Sequence, residues 1–153
     1  MIIRPTETNG EDQTSAVAEA FASSLKAGDV LLLEGELGAG KTAFVRGLAR
    51  GLRLAADEVT SPTFTLIQEY RGSSTDLVLY HADLYRLTPR EVDDLGLGEL
   101  GEEGILAVEW SDRWSDPPVP SYHVRIAHLG GDRRSITIVR PQEINKRRGE
   151  GEK

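Results

Sequence analysis

Cysteine is absent from the 153 residues. That excludes a disulfide framework, a thiolate nucleophile and a Cys-ligated metal, and it fits a reducing compartment. Long apolar runs are missing as well. Residues 30–33 are typical of the longest, far short of the roughly 20 needed to span a bilayer. No membrane association is expected. Residues 1–12 offer no apolar stretch of the kind a secretory leader needs, so the cytoplasm is the expected compartment. Positive charge is scarce too: Lys and Arg number 18 against 25 Asp and Glu, a net charge of -7. A chain so acidic is a poor candidate for clamping nucleic acid by charge, because phosphate neutralisation needs clustered Lys and Arg. The three histidines, His81, His123 and His128, do not form a metal-ligand spacing.

What remains is an ordinary globular composition, long enough for one domain with a real core. We expect a single domain over residues 1–141 and a polar, charged tail over 142–153. Val17, Ala20, Phe21 and Leu25 recur at helical spacing, which predicts a helix over about 11–26, with Thr8 and Glu11 as a capping box and Gly28 as its stop. Residues 29–33 read as a strand buried on both faces. Phe44, Val45, Leu48 and Leu52 predict a helix over about 41–53. Residues 65–70 and 76–85 are β-rich and separated by a turn, so they predict an antiparallel hairpin. Thr88-Pro89 predicts a helix start, residues 104–110 a buried strand, and the alternation around Gly130-Gly131-Asp132 a second hairpin. The order is that of an α/β domain with a mostly parallel central sheet and antiparallel additions.

Between the first buried strand and the second helix lies Gly35-x-x-x-x-Gly40-Lys41-Thr42, the phosphate-loop pattern. Glycines let the backbone curl until several N–H groups converge, and the next helix adds the positive end of its dipole. The expected cradle is the backbone of Gly38, Ala39, Gly40, Lys41 and Thr42. Lys41 supplies a full charge for the β- and γ-phosphates, and the Thr42 hydroxyl a hard ligand for Mg²⁺. Such a loop needs an acid at the end of a buried strand. Asp83 and Glu109 both qualify, and the residues alone do not rank them. Hydroxyls that order a hydrolytic water are expected from Thr63 and Thr65 in "SPTFT". Arg86, Arg113 and Arg133 are internal candidates for a charge-stabilising arginine, with no basis for a choice among them. Residues 91–103 carry several acids and no base, which reads either as a solvated helix face or as a docking surface for a basic patch.

Together "GELGAGKT", "VTSPTFTLIQEY", "YHADLYRL" and "AVEW" resemble the TsaE (YjeE) family of bacterial ATPases, required for the threonylcarbamoyladenosine (t6A37) modification of tRNA. The resemblance covers about residues 34–110. It implies a P-loop NTPase fold, ATP and Mg²⁺ as ligands, and weak ATP hydrolysis that matters in complex with TsaB-like and TsaD-like proteins, with tRNA reached through that complex. It also implies roles: Lys41 and Thr42 on phosphate and Mg²⁺, Glu109 as the second metal-side acid, Asp83 near the γ-phosphate, and Thr63 and Thr65 in a switch-like loop. Trp110 would shape the site, and Glu11 would lie near the base. Ala82 departs from the larger residue many relatives carry there. Two other classes are set against this reading. A small-molecule kinase is disfavoured by the short chain and the lack of an arginine-rich lid. A nucleotide-dependent interaction module without turnover is disfavoured by the two acids beside a complete phosphate loop.

Overall fold

A computed structural model describes residues 2–36, 40–55, 67–118 and 120–140. Strands β1 (Ile2–Asn9), β2 (Val30–Glu34), β3 (Ile67–Arg71), β4 (Val78–Asp83), β5 (Ile105–Glu109), β6 (Tyr122–Gly130) and β7 (Arg133–Val139) form one sheet. The order is β1-β7-β6-β2-β5-β4-β3. The four central strands, β6, β2, β5 and β4, run parallel, while β3, β7 and β1 are added antiparallel at the two sides. This is the expected mixed architecture. β2 is buried on both sides because one face carries Leu31 and Leu33 to the first core layer and the other carries Val30 and Leu32 to the second.

Helices α1 (Glu11–Ala22) and α2 (Lys41–Gly51) cover one face. They approach closely because α2 lacks side chains where they cross: a Cβ at Gly47 would sit 2.1 Å from the Ser15 carbonyl oxygen. Phe21 and Phe44 stack at 6.5 Å between the two helices, and Phe21 meets Tyr122 edge-on. Helices α3 (Pro89–Asp93) and α4 (Leu97–Glu103) cover the other face, separated at Gly96, whose φ of 70° ends one helix and starts the next. α3 begins as predicted. The Thr88 hydroxyl accepts from the Glu91 amide at 3.2 Å while the Glu91 carboxylate accepts from the Thr88 amide at 3.0 Å, and Pro89 follows the cap.

Two local expectations are corrected. Thr8 does not cap α1. β1 continues through Asn9, and the buried Thr8 hydroxyl pairs with that of Thr14 at 2.9 Å. The Gln13 side chain reaches back instead to accept from the Asn9 amide at 2.7 Å. Gly28 is not the stop of α1, which ends at Ala22; its amide bonds Gly104 at 2.8 Å, tying the turn before β2 to the one before β5. β1 itself was not anticipated. It is an edge strand whose register shifts between Ile3 and Thr6, around Pro5. Residues 141–153, including the expected tail, lie outside the described residues.

Candidate functional site

The carboxyl ends of β2, β4 and β5 lie side by side. In open α/β sheets, ligands bind outside such ends. Here they open into a cleft of about 460 Å³ lined by Gly10, Glu11, Thr14, Gly40, Lys41, Thr42, Ala43, Asp83, Glu109, Asp132 and Arg134. Gly40 stands at the amino end of α2 with φ 110°, a conformation glycine adopts without strain, and it offers no side-chain cap to that helix. The first amides of α2 therefore lack a capping side chain and face a cleft that contains their own residues, Lys41, Thr42 and Ala43.

The side chains of His81, Lys41 and Glu109 are almost wholly buried in this region, at 0%, 5% and 5% exposure. Burial of charge on this scale requires partners. Lys41 Nζ donates to the Gly35 carbonyl at 2.7 Å, lies 3.6 Å from Glu109 Oε1 and sits 4.8 Å above the Trp110 ring. Glu109 Oε2 meets His81 Nε2 at 2.5 Å. Trp110 adopts φ 59° and packs against Tyr85 at 4.8 Å, so it forms a wall of the lysine's surroundings.

Asp83 pairs with Glu109 in the register of β4 and β5, so both acids project from neighbouring strand ends. Their surroundings differ. Asp83 is half-buried, and its Oδ1 accepts from the Tyr85 amide at 3.0 Å. Desolvation raises its carboxyl above the ordinary value; the Tyr85 amide opposes this, Glu109 adds to it, and His81 and Lys41 oppose it.

Of the residues singled out from sequence, the cleft gathers Glu11, Gly40, Lys41, Thr42, Asp83 and Glu109. Gly38, Ala39, Thr63 and Thr65 lie outside the described residues. The three arginine candidates go elsewhere or are turned outward. Arg133 pairs with Glu7, Arg113 donates to the Leu87 carbonyl at 3.1 Å, and Arg86 is exposed. The arginine in the cleft is the neighbouring Arg134, beside Asp132, both from the β6–β7 hairpin. Gly10, Thr14, Asp132 and Arg134 carry no motif, since only the antiparallel return of β7 onto β1 brings them to the cleft. His81 was also missed as a partner of Glu109. The period-2 rule placed it on the face of Asp83, which was the available signal. Among the described residues, no group of three or more metal-ligating side chains stands ready-made. No helix among them is long and apolar enough to cross a membrane.

A family model described as "Threonylcarbamoyl adenosine biosynthesis protein TsaE" matches residues 8–136. Proteins named "tRNA threonylcarbamoyladenosine biosynthesis protein TsaE" are similar over most of the chain. That of Bacillus subtilis is 43% identical over 133 residues, 86% of this chain and 82% of the relative. That of Aquifex aeolicus is 39% identical over 140 residues, 91% and 98% respectively. The crystal structure of Bacillus subtilis YdiB superposes with a TM-score of 0.73 at 33% identity, covering 100% of this chain and 99% of that one.

Proposed function

The chain belongs to the TsaE family, and from that premise we propose that it binds ATP with Mg²⁺ in the cleft at the head of α2 and hydrolyses it slowly alone and faster in complex with TsaB-like and TsaD-like proteins. The turnover would drive threonylcarbamoyladenosine formation on tRNA in the cytoplasm, with tRNA reached through the complex. The observation that carries this reading is the uncapped amino end of α2 beside a buried ammonium and a buried carboxylate, at adjacent carboxyl ends of parallel strands.

The donor set fits the ligands. The α2 amides, with those of Gly38 and Ala39, would donate to phosphate oxygens, and Lys41, exchanging its bond to Gly35 for one to phosphate, would bring its charge to the β- and γ-groups. Thr42 and Glu109 would hold the cation, a hard centre matched by a hydroxyl and a carboxylate oxygen. Bound Mg²⁺ supplies neutralisation of the charge that develops on the transferred phosphoryl group. Asp83, turned to the same cleft, would orient the attacking water together with Thr63, and Glu11 would lie toward the base. A phosphate-release assay without any acceptor, alone and with the two partners, tests the activity. Calorimetric titration tests the binding. Lys41→Ala is expected to remove detectable ATP binding while leaving the fold intact. A folded Lys41→Ala protein with wild-type turnover would refute the proposal, and a complex that assembles on ATP without ever releasing phosphate would reduce it to a binding module.

A further inference from the structure

His81 is the most deeply buried of the polar side chains near the cleft, yet it does not line it. Its Nε2 meets Glu109 Oε2, while its Nδ1 has no hydrogen-bond partner among the described residues. A buried polar group left half-satisfied costs free energy, and an apolar side chain of similar volume would avoid that cost. The polar contact identified for this ring is the one to Glu109. The backbone makes the reach possible: His81 is paired with Ala107 in the parallel register, and Ala107 has only a methyl group, so the ring can lean along the sheet to the residue two further on.

We infer that His81 is a positioning residue: its Nε2–H holds Oε2 of Glu109 so that Oε1 alone is offered into the cleft. The hydrogen of the contact belongs to the imidazole, since an ionised carboxylate only accepts. With Oε2 engaged, Glu109 presents one oxygen, the one 3.6 Å from Lys41 Nζ. A carboxylate without this bond could rotate, turn both oxygens to Lys41 and close the site on itself. Neighbours that fix a ligating group in this way typically change metal affinity or activity 10–100-fold when removed. The inference rests on the proposed function, because it assigns Oε1 to the cation.

The test uses the full chain. In nucleotide-free protein, nitrogen-resolved NMR should find the His81 proton on Nε2, with a resonance that moves in Glu109→Gln; a proton on Nδ1 instead overturns the inference without reference to ATP. With ADP bound, Mn²⁺ affinity followed by paramagnetic resonance should fall about 10-fold or more in His81→Phe, and kcat should fall with it, while the KM for ATP stays near wild type. His81→Gln, which carries an amide N–H near the position of Nε2, should recover most of both. A folded His81→Phe protein with wild-type Mn²⁺ affinity and kcat overturns the inference, as does a His81→Gln protein as impaired as His81→Phe. Should His81→Phe not fold, His81→Gln against His81→Asn decides: the first should keep Mn²⁺ and the second lose it, and equal loss refutes the idea. A wild-type chain that binds neither ADP nor Mn²⁺ would instead bring down the proposed function itself.

Discussion

On the α1–α2 side of the sheet, the interior mixes Leu31, Phe44 and Leu48 with Thr14, Lys41, His81 and Glu109; under α3 and α4, the buried residues are Val30, Leu32, Leu106, Val108 and other apolar groups. The first face is covered by two longer helices in backbone contact, the second by two short ones broken at Gly96. The difference shows where tolerance ends. A face that buries charge must fix the neighbours of that charge, and here the two covering helices are held tightly against each other. A face that buries no charge needs area, and short helices supply it.

Substitutions that treat the two faces alike would break this comparison. The largest effect is expected from Gly47→Ala on α2, where the new methyl would fall on the Ser15 backbone, with Ala18 Cβ 2.8 Å away. The helices must part, at a cost of about 3 kcal/mol or more, read as a drop of about 10 °C in melting temperature. Thr88→Ala removes the capping box of α3 and is expected to lower melting by roughly 2–4 °C with ATP binding unchanged. At Gly98 in α4, a Cβ meets nothing within 4 Å among the described residues, so Gly98→Ala should raise melting by about 2 °C. If Gly47→Ala and Gly98→Ala shift stability equally, the asymmetry of the faces is refuted.

The smallest effect concerns pH. Because the folded protein raises the Asp83 carboxyl above its unfolded value, its contribution to stability is present at low pH and is lost as pH rises through the folded-state value. Asp83→Asn removes that loss. Solvent screens a half-exposed group, so the variant is expected to melt only about 1 °C above wild type near pH 7, with no advantage near pH 4. The opposite order would mean that the Tyr85 amide, with Lys41 and His81, outweighs burial.

Legibility in the sequence followed locality. The strand and helix that flank the glycine-rich stretch, the Thr88-Pro89 helix start, the β3–β4 hairpin and the strands ending in Asp83 and Glu109 are written in neighbouring residues, and each stands where it was expected. The end of α1 was misjudged because Leu25 fits the helical period, yet the chain turns after Ala22. β1 was missed because Pro5 and interleaved threonines hide an edge strand whose pairing depends on β7, more than a hundred residues away. The same long-range pairing brings Gly10, Glu11 and Arg134 to the cleft, and of these only Glu11 was expected, through a resemblance and without a motif. The link between His81 and Glu109 needed the register of β4 on β5, which no spacing within one strand encodes.

That first strand has a consequence for biosynthesis. β1 leaves the ribosome before the other described elements, but β7, its hydrogen-bonding neighbour, follows them in the chain. Until β7 emerges, the segment bearing Gly10 and Glu11 has no sheet edge to join, and Arg134 does not yet exist in the nascent chain. The central parallel strands can assemble around α2 earlier, so the pocket would acquire its floor first and its outer wall only once elongation has passed the β6–β7 hairpin.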